Sequence, residues 1–427
     1  MTVYLPFIIL FILLAFGVPV AISLALAGSL GIYLATNADV LVGILTASPG
    51  SALTTYELLT IPMFILMAEF MGVSGITSSL FKAIAKWTNN IRGGIGIATV
   101  VTGAAFGAIS GSSTAAAATL AKTSIPAMRE QGYSDGMAGS VAAISGTIAM
   151  LIPPSVALIF YGLLSGVSIA DLLIAGIVPG ILVALTIALT IKVLLWRNPL
   201  PEQSVNYSMA EKIQSLKVAG PFVVLFLLVT GLIYSGIATP VESSALGAFG
   251  ALLIAAKSGN LTRSRFGEAL FNTCSVSAMI GLIIVCAHIF GYFITFTGVT
   301  RDMISWAGSL EVSPYVILAV IVLMYLVLGL FLDLISILIL TVPVVLPLVT
   351  SLGFDPLWFG IIVILLAEIG IVTPPVGINV FVVSKSAEIA VEKIFSGVMI
   401  YVLSLLFLVL ILIAFPGLVL WLPSTSG

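Results

Sequence analysis

Apolar runs of about twenty residues, the length a helix needs to cross a bilayer, recur from Leu5 to Leu422 with no polar block large enough for a soluble domain. In hydrocarbon every backbone N–H and C=O must be satisfied internally, which favours helices. Only 7% of the 427 residues are charged, whereas soluble domains carry roughly a quarter. The sequence therefore predicts an all-α polytopic membrane protein and excludes catalysis by a soluble domain. A net charge of -2, with no basic run interleaved with aromatics, gives no reason to expect a nucleic-acid partner.

The opening MTVYLPFIILFILLAFGVPVAI has no Lys or Arg ahead of its apolar run, so it lacks the basic region of a cleavable signal peptide and reads as a retained first helix. Cys274 and Cys286 lie in one apolar stretch, about 18 Å apart at helical rise, too far to bridge. No Gly-rich phosphate loop ending in Gly-Lys-Ser or Gly-Lys-Thr occurs. ATP is therefore not hydrolysed on this chain, and energy comes from an ion gradient or a partner.

One long polar stretch, WRNPLPEQSVNYSMAEKIQSLK at 196–217, divides the chain, and adding 221 to a residue number carries the first half onto the second. Pro19-Val20 then meets Pro240-Val241, Ser23 meets Ser244, Pro126 meets Pro347, Gly139 meets Gly360, and Pro153-Pro154 meets Pro374-Pro375. Crossings are expected at about 4–16, 19–35, 52–72, 135–165 and 172–195, and again at about 218–234, 239–257, 266–296, 356–384 and 394–421. With both chain ends outside, fourteen of the 15 basic residues fall inside, as short cytoplasmic loops prefer, and only Arg301 lies outside. An odd number of crossings makes the repeats antiparallel. The expected organisation is inverted repeat 1 over 1–195, a cytoplasmic linker at 196–217 and inverted repeat 2 over 218–427.

Between its third and fourth crossings each half holds about sixty residues that must return to the side where they began. The predicted elements are re-entrant helical hairpins at about 93–127 and 312–348. Ahead of them, Ile76 to Arg92 and Val299 to Leu310 mix charged and apolar residues around Trp87 and Trp306, and read as interfacial helices. Thr239-Pro240-Val241-Glu242 is a capping-box pattern with Pro at the first helical position, so a helix should start at Thr239.

The stretch GAISGSSTAAAATL, from Gly107 to Leu120, falls at the middle of the first hairpin and hence near the membrane midplane. Broken backbone at that depth is tolerated only inside protein or along a wet cavity. Ser110, Ser112, Ser113 and Thr114 supply oxygen ligands for a small alkali cation, and the outgoing half-helix supplies amide donors. The same small residues also suit close helix packing. The counterpart of Ser112 is Asp333, in GLFLDLISILILTVP. A carboxylate deep in an apolar run is a functional-site candidate by default, so Asp333, with Ser336 nearby, is assigned as a cation or proton ligand; a helix-cap role can coexist with that one.

The double prolines break the crossing after each hairpin, because Pro cannot donate to the helical ladder and clashes with the preceding turn. New half-helices should start there, with Thr373 as a cap, and carbonyls freed around Ala149 to Ile152 and Gly370 to Thr373 would complete the cation shells. The predicted cation set is thus Ser110, Ser112, Ser113, Thr114, Asp333, Ser336, Gly370 and Thr373. The predicted substrate set is Ser145, Thr147, Pro153, Pro154, Ser155, Pro374, Pro375 and Asn379, with Glu368 close by in sequence. With no Lys or Arg at midplane depth, an anionic substrate would be held by helix termini, hydroxyls and the bound cations. The single His288 is expected to be a hydrogen-bonded packing residue.

GAISGSSTAAAATL, IATPVESSALGA, GLFLDLISILILTVP and AEIGIVTPPVGINVFV together resemble the large, DctM-like membrane subunit of tripartite ATP-independent periplasmic (TRAP) transporters, over nearly the whole chain. The resemblance implies an elevator-type fold of the ion transporter superfamily. It also implies sodium-coupled import of an organic acid, sialic acid or a C4-dicarboxylate, across the bacterial inner membrane, with both termini periplasmic. The implied partners are a periplasmic substrate-binding protein and a separate small subunit of four helices, since this chain begins at the large subunit's first helix. Sodium is the coupling ion and no cofactor is implied. By motif, Ser110, Ser112, Ser113 and Thr114 match the first hairpin's cation site, Asp333 and Ser336 the second hairpin, and Thr373, Pro374 and Asn379 the second broken helix. The competing reading is a stand-alone sodium- or proton-coupled dicarboxylate or citrate carrier. An intramembrane protease would require motifs that are absent around Asp333 and Glu368.

Overall fold

In the computed structural model, which describes residues 4–197, 199 and 207–425, every regular element is helical. The first half contributes α1 (Tyr4–Ala15), α2 (Val20–Ala35), α3 (Ala38–Leu53), α4 (Thr60–Ser74) and α5 (Ile76–Thr88). The hairpin arms α6 (Gly94–Ser110) and α7 (Ser113–Glu130) follow, then α8 (Asp135–Thr147), α9 (Val156–Ser165) and α10 (Ile169–Arg197). The second half contributes α11 (Met209–Tyr234), α12 (Pro240–Lys257), α13 (Arg263–Thr297) and α14 (Val299–Ser309). Its hairpin arms are α15 (Pro314–Gly329) and α16 (Leu334–Ser351), followed by α17 (Pro356–Gly370), α18 (Ile378–Ala387), α19 (Val391–Ala414) and the short α20 (Gly417–Leu420).

Under the offset of 221, α7 starts where α16 starts and α8 where α17 starts. The exception teaches why. Helix α13 is one unbroken element of 35 residues, whereas the matching stretch of the first half is divided into α3, a tight turn at Tyr56–Leu59 and α4. Pro62, in the first turn of α4, has no N–H and its ring clashes with the carbonyl four residues back; its counterpart, Ile283, carries the helix on. Helix α3 falls between the expected crossings 19–35 and 52–72, overlapping the latter only at its last two residues. It starts because the Asn37 side chain accepts the Val40 N–H at 3.0 Å.

The expected crossings are not ten unbroken spans. Tyr56–Ser74, Ile169–Arg197, Arg263–Thr297, Leu334–Ser351 and Val391–Ala414 are individually long and apolar enough to cross a membrane, and Met209–Tyr234, bent by 54°, makes a sixth. The stretches 135–165 and 356–384 are each split in two, as the double prolines require. Both hairpins run past their expected ends to Glu130 and Ser351, with Pro126 and Pro347 inside the outgoing arms. Helix α5 stops at Thr88, short of Arg92. The expected 196–217 linker is shorter: α10 runs to Arg197 and α11 starts at Met209, 198 and 200–206 lie outside the described residues, and the far end is fixed by a capping box in which Ser208 and Glu211 exchange bonds at 2.8 and 3.3 Å. The chain ends, 1–3 and 426–427, also lie outside the described residues.

The capping box expected at Thr239 is present: Glu242 accepts the Thr239 N–H at 2.8 Å, and Thr239 Oγ1 accepts the Glu242 N–H at 3.2 Å. The exposed Trp87 ties α5 to the start of α11 by donating to the Lys212 carbonyl at 3.2 Å. Cys274 and Cys286 are both free thiols on α13.

The halves interlock. Helix α2 packs along α13 and α4 along α12, while α9 rests on α16 and α18 on α7. Each half-helix beyond a proline break is therefore seated on the outgoing hairpin arm of the other half. The buried Tyr161 on α9 also donates to the Pro356 carbonyl of α17 at 2.6 Å.

Candidate functional site

The first hairpin tip is a two-residue turn, Gly111-Ser112. Gly111 closes α6 at φ 53°, a left-handed conformation that glycine adopts without a Cβ clash, and its N–H bonds to the Gly107 carbonyl. Ser112 is extended and caps α7 by accepting the Ala115 N–H at 3.3 Å, while Ser110 Oγ accepts the Ser112 N–H at 3.4 Å. Ser113 is buried; Ser110, Ser112 and Thr114 are half-buried.

Small residues let this tip press onto the first broken helix. A Cβ on Gly107 would fall 2.2 Å from Ala149 Cα, one on Gly146 would fall 2.7 Å from the Ser113 carbonyl, and one on Gly111 would fall 3.2 Å from Val156 N. The tip thus lies against the first residue of α9, so the N-termini of α7 and α9 sit side by side. The second half repeats the seam: a Cβ on Gly370 would come within 2.4 Å of Gly329 Cα.

At the second tip, Asp333 caps α16 by accepting the Ser336 N–H at 3.3 Å, and it also accepts the Ser336 hydroxyl. Ser112 and Asp333 therefore hold the same place in the two tips, as the offset predicts. Asp333 is exposed, and Ser336 is buried. Among the described residues no side-chain hydrogen bond joins the pair to another member of the predicted set.

The break regions correct several expectations. Thr373 does not cap α18; its hydroxyl donates back to the Ile369 carbonyl at 2.6 Å, and the capping position is Gly377, at φ 52°. The first break behaves differently, with Ser155 capping α9 through the Leu158 N–H at 3.3 Å and donating to the Met150 carbonyl at 2.5 Å. Carbonyls expected to be free are in part engaged: Gly370 accepts the Thr373 N–H at 2.9 Å and Ile371 accepts the Asn379 N–H at 3.2 Å. Thr147 spends its hydroxyl on Ile144 at 2.7 Å. Pro153 and Pro154 face an apolar pocket with Leu173, Ile174 and Val229 rather than polar space, whereas Pro374 is half-buried and Pro375 exposed. Both Pro-Pro peptide bonds are cis.

Beneath the first tip the structure collects polar groups without partners. Ser145, Glu368 and Asn379 are all 0% exposed, and the Ser145 hydroxyl, both Glu368 oxygens and both Asn379 amide atoms lack a hydrogen bond. Ser113 is the polar group facing Glu368, without reaching hydrogen-bond geometry. Asn379 is tied by its N–H to Ile371, one turn past Glu368, and α18 lies on both α7 and α8. Buried polar atoms are nearly always satisfied, and a bare buried carboxylate is strongly disfavoured. Oxygen-rich and unpartnered, these groups suit a small hard cation. Among the described residues no group of three or more His, Cys, Asp or Glu assembles, so a transition-metal centre is not built. Glu368 stood outside the predicted set because the sequence gives its depth but not the direction it faces. His288 is not a packing residue: it is exposed and lines a cavity.

Paired helical hairpins, proline-broken helices and many apolar helices define a multi-pass membrane protein whose unpartnered polar groups lie near its helix breaks. The sequence profile of the tripartite ATP-independent periplasmic transporter, DctM component, matches residues 7–418, and the chain belongs to that family. It is 32% identical over 419 residues to a sialic acid TRAP transporter large permease protein of Vibrio cholerae, covering 96% of each chain. It is 31% identical over 373 residues to a C4-dicarboxylate TRAP transporter large permease protein of Pseudomonas aeruginosa, covering 87% of each. In fold it is similar to the YdaH transporter of Alcanivorax borkumensis, with a TM-score of 0.67 at 17% identity over 89% of this chain and 90% of that one.

Proposed function

We propose that this chain is the large membrane subunit of a sodium-coupled importer that carries a small organic acid, sialic acid or a C4-dicarboxylate, across the bacterial inner membrane. A periplasmic binding protein delivers the acid, and a separate small membrane subunit completes the complex. Both termini are periplasmic, and residues 1–195 and 218–427 form inverted repeats. The observation that carries this reading is the meeting of the α7 and α9 N-termini at the Gly111–Val156 contact, above the unpartnered Ser145, Glu368 and Asn379. Paired N-termini favour a carboxylate, and oxygen-rich buried groups favour sodium. Each charge then lowers the cost of bringing in the other, which couples uptake to the ion gradient. Access alternates by an elevator movement, in which the hairpins and broken helices slide as one body against α2, α4, α12 and α13.

The test is uptake of labelled N-acetylneuraminate and succinate into proteoliposomes under an inward sodium gradient. The chain alone is compared with the chain plus small subunit and binding protein. Uptake only with all three components, and only with sodium, is the expected result. Uptake by the chain alone would replace this reading with a self-sufficient carrier.

A further inference from the structure

On the side expected to face outward, a cavity of about 690 Å³ opens between α13, α14, α9 and α16. That size suits a small organic molecule. Its α13 wall stands apart from the otherwise apolar stretch of that helix between Met279 and Phe296. His288, Tyr292 and Thr295 recur at helical spacing on one face, all three are exposed, and all three line the cavity. Three polar side chains in succession facing hydrocarbon would be costly, so this face is turned to water. Arg301 and Ser305, one turn apart on α14, add further donors. Arg301 is exposed and has no ion pair among the described residues; its neighbour Asp302 does not line the cavity. Leu163 of α9 and the ring faces of Pro343 and Pro347 of α16 close the opposite wall with apolar surface.

We propose that this crevice is a reception site for the organic acid, in which Arg301 takes a carboxylate before the acid reaches the hairpin tips. An unpaired guanidinium offers two parallel donors to a carboxylate. His288, Tyr292 and Thr295 hydrogen-bond the acid's remaining polar groups, and the proline wall takes its carbon skeleton. The position fits that role, because the crevice lies where α13 and α14 meet the outgoing arm of the second hairpin. It rests on the proposed import function for its direction, but not for its charge selectivity.

The test uses the full chain with its small subunit, Cys274→Ser and Cys286→Ala, and a reporter thiol from Thr295→Cys. Anionic (sulfonatoethyl) and cationic (trimethylammonioethyl) methanethiosulfonates are applied from outside without sodium. The anionic reagent should react faster relative to the cationic one, and Arg301→Gln should lower that ratio by about threefold or more, while Arg301→Lys keeps it. Succinate or N-acetylneuraminate should slow labelling in the Arg301 form only. A ratio unmoved by Arg301→Gln, no protection by either acid, or no labelling from outside would overturn the site. A thermal melt of the Arg301→Gln complex verifies its fold. If sodium-driven uptake exists but the ratio does not move, the reception site alone fails. If the ratio moves but no uptake is found, the import reading alone fails.

Discussion

Pro153-Pro154 is buried against α4, α10 and α11, closed over by Met67, Leu173 and Val229, whereas Pro374-Pro375, at the matching positions, is half-buried and exposed respectively. The tips differ in the same sense, with Ser112 half-buried at the first and its counterpart Asp333 exposed at the second. Local chemistry does not produce the difference, since both tips carry a side-chain cap and both breaks carry two prolines. Neighbours do: α4 and α5 cover the first hairpin, while the second meets α13 and α14 across an open crevice. Duplicated devices held in unequal surroundings are what the proposed alternating access would require in any one state.

The likeness between the halves breaks first at the seams. Gly107→Val and Gly370→Val should each cost about 3 kcal/mol or prevent folding, because the added carbons would fall 2.2 Å from Ala149 Cα and 2.4 Å from Gly329 Cα. Thermal melts of the purified protein measure this; a variant tolerated in one half only would end the equivalence. Next in size, Asp333→Ala should abolish sodium-driven uptake while the protein still folds, and Ser112→Ala should reduce it less. Uptake at the parent rate in Asp333→Ala would remove that carboxylate from the site. Glu368→Gln should also lose uptake without losing the fold, since among the described residues no group hydrogen-bonds its oxygens; a collapsed melt instead would make Glu368 structural. For the open and closed breaks, Pro375→Cys should react with a maleimide in the folded protein while Pro154→Cys stays protected, and equal rates would erase the contrast. The smallest effect belongs to the caps. Ser155→Ala should cost about 1 kcal/mol, and a second cap variant, Ser112→Ala, should match it in the same melting assay.

Much of this architecture was legible because proline and capping chemistry act locally. Thr239 announces α12, the double prolines announce both breaks, and the offset carries Ser112 onto Asp333 as an equivalent cap. What was not legible depends on which way a side chain faces. Asp333 drew attention as a lone carboxylate in an apolar run, yet it is exposed, while Glu368, in an equally apolar run, is fully buried and unpartnered. Thr373 looked like a cap by type, but the αL backbone at Gly377 places the helix start four residues later. Helix α3 was missed because ADVLVGILTASPGSAL, with an internal proline and two glycines, lacks the long apolar run that marked the other elements.

The interlock of α9 with α16 and of α18 with α7 has a consequence for biosynthesis. The first hairpin emerges from the ribosome more than two hundred residues before α18, its partner, exists. Until then one face of α7 and the face of α9 that rests on α16 wait with their seats empty, and only the last fifth of translation supplies Glu368 and Asn379. Completion of the candidate site is therefore among the closing events of synthesis, and truncation beyond α17 would leave a chain that keeps both hairpin tips but lacks Asn379 and the helix that seats on α7.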